Sequence, residues 1–560
     1  MSTNTTFRIA DVLSTVGGRL IHGDAETTFT NYCIDSRYVS GRTLFVPLMG
    51  QTRDGHQYVI DAISKGAVAA LVRAGHHQVH EIISWIRDRS SHGGYGGHAD
   101  LESVCIIEVR HTLVALQKIG EWFRNQFDVQ VIGITGSVGK TGTKETLIQL
   151  LSTRWPTVGT EKNFNNEIGV PLALSRITPR TKLVVVEMAM RARGEISLLS
   201  RIAHPDLSII TNTAGSHVGR LGSFDEVYKA KAEIADGMKP GGTIILNRGD
   251  NNVLSTIDEL RVKERGGVAF DIRFFDSEAI YAAGGIPPFA PPTATEGAPP
   301  DLPAPDVWVE DVQMRGMDGA AFTLCAGEER RRIDLPLLGR GAVENLTAAA
   351  SIALHLGMEL KEITDAAPEL LPAPQRMNLY HLRDELFLID DCYNSSPASV
   401  RDTLELMLSI PRRYRKVLVL GDMLELGKYE TLLHRQLAIT ALNLPFDRVY
   451  AVGPRMNAVN EVEGGENLEL FYVEGHGGLE TDEYAERASE GRFGAPPNGR
   501  PGGRGEEMVI LDDKAAVKLS ALILNHLQQA EEPTVVLVKG SRALHLERIV
   551  NDLLSGVTNE

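Results

Sequence analysis

Residues 129–145 read VQVIGITGSVGKTGTKE, an apolar run that meets a glycine turn and then opens into a helical pattern at Lys140. A phosphate-binding loop needs this succession. Gly136 and Gly139 let backbone N–H groups face an anion, and the start of the helix adds its partial positive charge. Lys140 reaches the outer phosphates, and the Thr141 hydroxyl is placed to hold Mg2+. The candidate ATP contacts are therefore Gly136, Ser137, Val138, Gly139, Lys140 and Thr141. The strict eight-residue signature has glycine where Ile134 stands, so this is the shorter G-x-x-G-K-T form. ATP and Mg2+ are the expected ligands, but such a cradle serves kinases, motors, transporters and ligases alike.

Outward from this loop, short β-branched runs alternate with longer amphipathic ones. LVVVEMA, LSIITNT and GTIILN follow the loop, and KVLVLGD, RVYAVG and TVVLVKGS come near the end. Alternation of this kind builds parallel α/β layers. Helical material around 335–357 separates the two series, and a hinge is expected near 372–376. The fold class is α/β in three domains. They are a small mixed α/β N-terminal unit over 1–126, a central P-loop parallel-sheet ATPase domain over 127–374, and a C-terminal Rossmann-like α/β domain over 375–560. In the first unit TLFVPL reads as a strand and DAISKGAVAAL as a helix. Strand LVVVE ends in Glu187, at the sheet edge where ligands collect; it takes Mg2+ there or is simply a solvated strand-end carboxylate. His217 follows a strand at the same edge. The helix FDEVYKAKAEIADGM carries Lys229, Lys231 and Glu233, lysines that by themselves read as its wet face.

A chain of 560 residues exceeds one core, since domains run to about 150 residues. With 43% apolar and 23% charged residues it reads as globular. A formal charge of -16 argues against nucleic acid as a partner, because phosphate contacts need a basic face. Cys33, Cys105, Cys325 and Cys392 lie far apart with no C-x-x-C pair, which fits a reducing compartment. MSTNTTFRIADVL lacks the features of a signal peptide, and no apolar run is long enough to span a bilayer, so a cytoplasmic monomer without membrane insertion is expected. Residues 75–97, 286–305 and 475–505 are rich in His and Gly, in Pro, and in Gly and Arg, and read as surface insertions. His76, His77, His80, His92 and His98 are assigned no role; a solvated insertion explains them better than a metal site.

The order TGSVGKTGTKE, NFNNEIGVPL, VVVEMAMRARGEI, TNTAGSHVGRLGS and YKAKAEI resembles that of the Mur ligases. LLGRGAVENLTAAASIAL, IDDCYNSSPASVRDTLELM, VLVLGDMLELG and VLVKGSR continue it, and IDSRYVSGRTLFVPLMGQTRDGHQYVIDAISKGA matches the family's unit for the uridine nucleotide. The resemblance implies ATP-driven addition of D-Ala-D-Ala to a UDP-MurNAc-tripeptide in the making of peptidoglycan. It makes Lys231 a carbamylated lysine that helps bind a second Mg2+, with Lys229 the competing candidate. It places His217 near that metal, and Asn165 and Asn166 in the region that shapes the site. It brings Arg376 to phosphate, Asp391 to ribose, and Tyr393 and Asn345 to the base. Ser36 and Arg37 would grip the uridine diphosphate, against the alternative of a structural Asp-Ser-Arg turn. Lys539, Ser541 and Arg542 would meet the D-Ala-D-Ala carboxylate or the tripeptide end. Asp391 reads otherwise as a turn or cap residue, and Asp422 and Glu425 of GDMLELG as cleft or scaffold.

Departures from the family are local. Gly341 and Ala342 stand where relatives carry His-Asn, Ser396-Pro397 replaces Asn-Pro, and the usual acid near Gly249 is absent although Asp250 follows. They leave room for a relative acting on another carboxylate and amine. A non-catalytic ATP-binding regulator would tolerate loss of Lys140, Glu187 or Lys231, and all three are present.

Overall fold

The run after Asp128 forms the strand Gln130–Thr135, flanked by Leu183–Glu187 and Leu207–Ile210 in a nine-stranded sheet. The structure, a computed structural model, describes residues 5–50, 53–91, 101–161, 164–213, 224–250, 252–267, 269–280, 302–383, 385–456, 468–471, 513–528 and 532–558, with Ile286 and Phe289. From Thr157–Gly159 at one edge to Val307–Met314 the strands run parallel; the hairpin Ala320–Ala326 and Glu329–Leu335 closes the other edge antiparallel. Successive side chains enter opposite cores: Val131, Val184, Val186 and Ile210 one, Ile132, Ile134, Val185 and Ile209 the other. Both faces are covered, which is why these strands read as unbroken apolar runs. Each fully buried Val, Leu or Ile contributes roughly 1.5–3 kcal/mol. Thr135, Glu187 and Thr211 therefore finish at one carboxyl edge, where the helix Lys140–Ser152 starts.

The N-terminal sheet has five strands in the order Arg19–His22, Cys105–Val109, Ala67–Arg73, Thr43–Phe45, Asn31–Cys33, parallel except for the first pair. DAISKGAVAAL is not one helix. The helix Val59–Ser64 ends, Gly66 turns the chain at φ 103°, and Ala67–Arg73 is the central strand of this sheet. Alanine's helix preference loses here to burial between two layers, for Ala67, Ala69 and Ala70 are all buried. Phe7, Phe29 and Leu44 share a core with Phe123 of helix Thr112–Arg124 and with Val131 of the central sheet. The buried Tyr32 hydroxyl donates to the Pro171 carbonyl at 2.5 Å, which fixes the first sheet to the second domain.

The C-terminal sheet runs Asn378–Arg383, Leu386–Asp391, Thr534–Lys539, Arg415–Gly421, Arg448–Val452, Leu468–Phe471, parallel after the first pair. The linker before it holds two non-glycine residues in the left-handed region, Gln375 at φ 58° and Met377 at φ 52°.

Part of the first His-rich insertion is ordered structure: Gln78–Ser91 is a helix, and the His76 ring is enclosed rather than solvated. His56 and His76 stack at 4.0 Å and both face Asp54, each 2.7 Å from one of its oxygens. Backbone N–H groups of Arg73 and Gln78 donate to the remaining ring nitrogens, so both imidazoles act as donors to Asp54. That arrangement consumes the lone pairs a metal would need. Ile286 is buried, and its N–H donates to Glu405. Residues 475–505, His92 and His98 lie outside the described residues. Among the described residues no helix is long and apolar enough to cross a membrane.

Candidate active site

The glycines of the phosphate loop are there because nothing larger fits. Gly136 lies at φ 149°, and a Cβ on it would stand 2.0 Å from the Thr211 hydroxyl. The loop is tied from below: Ser137 N–H donates to the Asn212 carbonyl, Val138 N–H to Asn212 Oδ1, and the Thr211 hydroxyl to the Val138 carbonyl. Thr211 and Asn212 were not singled out from sequence, although both follow a strand at the ligand edge. Lys140 Nζ donates to the carbonyls of Gly136 and Ser137 at 2.7 and 3.2 Å, so the ammonium is folded back over the loop.

Around Thr141 the polar groups converge. Its hydroxyl donates to Glu187 Oε1 at 3.2 Å, and Asn165 Nδ2 donates to the same oxygen at 2.9 Å. Glu187 Oε2 is buried without a hydrogen-bond partner among the described residues, and the enclosed Lys144 ammonium stands 4.0 Å away. A buried carboxylate oxygen left open beside a hydroxyl fits a hard cation. Asn166 serves the backbone, its Oδ1 accepting from Ile168 and Gly169 N–H at the start of helix Gly169–Leu174. His217 lies outside the described residues.

Geometry separates the two candidate lysines. Lys229 pairs with Glu226 on the surface, whereas Lys231 is fully buried and its Nζ has no hydrogen-bond partner among the described residues. Burial drives the Lys231 pKa well below that of an ordinary lysine, and Lys140 pushes it further; Glu233, Glu425 and Glu187 oppose the shift. Glu233 itself is spent on the backbone N–H groups of Gly194 and Ser197. Lys140 is shifted down in the same way, by burial and by Arg376, against Glu187 and Glu425.

Across the linker, Arg376 Nη2 donates to the Thr141 hydroxyl at 3.2 Å, while its guanidinium lies 4.4 Å from the Tyr393 ring centre. Arg542 stacks on Tyr393 as well, at 5.2 Å, and is exposed. Asp391 accepts from Lys539 Nζ at 2.6 Å and from the Thr403 hydroxyl. The Lys539 ammonium is thereby occupied within the C-terminal domain, and it donates to the Asn394 carbonyl too. Ser541 is buried, its hydroxyl donating to the Asp422 carbonyl and accepting from Leu424 N–H. Asp422 is scaffold: Oδ1 accepts from Arg455 and Met456 N–H, and burial pushes its carboxyl up to about 7. In the first domain Ser36 is buried, while Arg37 is exposed and bridges both oxygens of Asp35.

Models of three families match in chain order: the Mur ligase family catalytic domain over residues 28–99, the Mur ligase middle domain over 134–282, and the Mur ligase glutamate ligase domain over 375–486. The UDP-N-acetylmuramoyl-tripeptide--D-alanyl-D-alanine ligase of Bacillus subtilis is 31% identical over 446 residues, covering 80% of this chain and 85% of that one. The chain belongs to the Mur ligase family. The crystal structure of MurF from Acinetobacter baumannii superposes with a TM-score of 0.72 at 25% identity, covering 98% of this chain and 99% of that one. MurF from Thermotoga maritima in complex with ADP has the same fold, with a TM-score of 0.65 at 20% identity over 94% of this chain and 98% of that one.

Against that Mur ligase background the missing His-Asn pair has a packing counterpart. Gly341 opens the helix Arg340–His355, and a Cβ there would lie 3.4 Å from Asp402 Oδ2 of the C-terminal domain. Beside it Arg340 pairs with Glu405 at 3.0 Å. Asn345, one turn on, accepts from the Thr143 hydroxyl at 3.2 Å and packs on Gly142, where a Cβ would meet its Nδ2 at 2.1 Å. This Mur ligase thus packs Asn345 of helix Arg340–His355 directly against its phosphate-loop helix, at Gly142 and Thr143.

Proposed function

We propose that this chain is an ATP-dependent amide ligase that adds D-Ala-D-Ala to UDP-MurNAc-tripeptide through an acyl phosphate, in peptidoglycan precursor synthesis. The observation that carries the reading is the Lys231 amine, buried without a hydrogen-bond partner among the described residues and within electrostatic reach of Lys140 and Glu187. A neutral amine in that position is a nucleophile for CO2, and the carbamate it forms is an oxygen-rich anion suited to Mg2+. Thr141, Glu187 and carbamylated Lys231 would hold Mg2+, which offsets phosphate charge when bound.

Lys140 leaves its loop carbonyls to neutralise the transferring phosphoryl group, and the loop N–H groups other than those of Ser137 and Val138, which Asn212 holds, take the remaining oxygens. Arg376 adds charge from the linker side. Asn345 and Tyr393 take the base and Asp391 the ribose. The tripeptide carboxylate attacks phosphorus, and ADP leaves with the bonding pair. The acceptor amine, having lost one proton to solvent, then attacks the carboxyl carbon; the C–N bond forms, the C–O bond breaks, phosphate departs, and a second proton leaves the nitrogen. Ser36 and Arg37 fix the uridine diphosphate far from this chemistry, and Asn165 and Asn166 shape the wall between. Arg542, exposed beside Tyr393, meets the acceptor carboxylate, with Lys539 and Ser541 supporting that wall.

The test is phosphate release by the purified chain with ATP, Mg2+ and UDP-MurNAc-tripeptides ending in diaminopimelate or lysine, with and without D-Ala-D-Ala. Release that requires both partners and yields a pentapeptide is expected. Release with neither tripeptide stimulated by the dipeptide overturns the substrate assignment and leaves a Mur ligase for another carboxylate and amine.

A further inference from the structure

Lys144 stands one turn beyond Lys140 on the phosphate-loop helix, and the two ammonium groups part ways. Lys140 folds back over the loop, whereas Lys144 turns into the protein and is fully buried. Burying a cation costs free energy unless it is paired, and an uncharged residue would serve the helix as well, so the charge itself calls for a reason. Its Nζ donates to the Thr160 carbonyl at 2.7 Å, pairs with the partly exposed Glu145 at 2.8 Å, and stands 4.0 Å from Glu187 Oε2.

Thr160 joins the lysine to the acid. Its carbonyl takes the ammonium, its hydroxyl accepts from Glu187 N–H at 3.1 Å, and its own N–H donates to the carbonyl of Val185 on the strand that ends in Glu187. The two oxygens of Glu187 are thereby treated differently. Neutral donors, the Thr141 hydroxyl and the Asn165 amide, hold Oε1, while Oε2 faces a positive charge too distant to hydrogen-bond. A cation at that distance offsets a buried carboxylate without capping the oxygen, which stays open to a metal ion. It also weakens the hold of the carboxylate on a second cation until the phosphates of a nucleotide add their negative charge.

We infer that Lys144 is a positioning residue for Glu187: it balances and aims the carboxylate through the Thr160 bridge, and it makes Mg2+ binding at Glu187 depend on nucleotide. The inference rests on the metal role given to Glu187 above. Lys144 acts through that carboxylate alone.

The experiment titrates Mn2+, a paramagnetic stand-in for Mg2+, into the full chain without nucleotide and reads the free ion by electron spin resonance. Lys144→Met, similar in volume and uncharged, should bind Mn2+ about tenfold or more tighter than wild type, and adding Glu187→Gln to it should abolish the gain. Melting gives the second readout. Lys144→Met leaves a buried carboxylate unmatched, so the double variant should melt higher than Lys144→Met, and it keeps the test open if Lys144→Met does not fold. Equal Mn2+ affinity in wild type and Lys144→Met, a gain that survives Glu187→Gln, or a double variant no more stable than Lys144→Met overturns the inference. None of these readouts uses tripeptide or dipeptide, so a different ligase substrate would leave them unmoved. Mn2+ with ADP that binds wild type and Glu187→Gln alike removes the metal role of Glu187, and the inference with it.

Discussion

An ammonium taken out of water without a partner costs several kcal/mol, and burial accordingly pushes the Lys231 pKa well below that of an ordinary lysine. Replacing it with methionine keeps the volume and removes the buried amine. Lys231→Met should therefore melt no lower than wild type, yet release phosphate at least about a hundredfold more slowly if the residue carries catalytic charge. Native mass measurement should show the mass of one CO2 on wild type and none on the variant. A variant with near-normal turnover would remove Lys231 from the site. At this scale sequence pattern could nominate Lys229 and Lys231 together, because two residues apart on a helix says little about which one is buried. Lys539 was nominated for a substrate carboxylate, and its salt bridge with Asp391 depends on two strands that pair 148 residues apart.

Among the elements, the phosphate loop and its helix were legible because glycine spacing and a flanking apolar strand leave few other solutions. What was not legible is how closely the helix Arg340–His355 presses on that loop at Gly142. Gly142→Ala places a Cβ 2.1 Å from Asn345 Nδ2, so the amide must swing away or the helices must part. Overpacking of this kind costs about 1–3 kcal/mol. Weaker ATP binding is expected by calorimetry, with a lower melting temperature; unchanged ATP affinity would show that Asn345 does not contact the nucleotide. The first domain shows the opposite failure. Ala67–Arg73 reads as helix by composition and is a strand because neighbouring strands and covering helices claim both its faces. His76 likewise looked like part of a solvated insertion, and only the fold brings it against Asp54 and His56.

For the whole molecule, the decisive contacts are those between domains, and these no local pattern announces. Glu425 acts electrostatically on Lys140 and Lys231 of the central domain only because the C-terminal sheet docks where it does. Asp402 sits at the same junction, against Gly341, with Oδ1 buried and without a hydrogen-bond partner among the described residues, and burial pushes its carboxyl up to about 7 from 3.8. The folded-state pKa lies above the unfolded one, so the unfolded chain loses this proton first. Its contribution is retained below pH 3.8 and is lost as pH rises toward about 7. Asp402→Asn has no proton to lose. Denaturant unfolding should find it close to wild type near pH 4 and more stable near pH 8, by on the order of a few kcal/mol. Parallel pH profiles for the two proteins would contradict the assignment.

The linker between the second and third domains carries its own consequence. Gln375 and Met377 both hold left-handed torsions without being glycine, and each such residue costs roughly 1–2 kcal/mol against the ordinary wells. A connection built this way is no slack tether. It sets Arg376, lying between the two, at a fixed reach from the phosphate-loop helix, its Nη2 3.2 Å from the Thr141 hydroxyl.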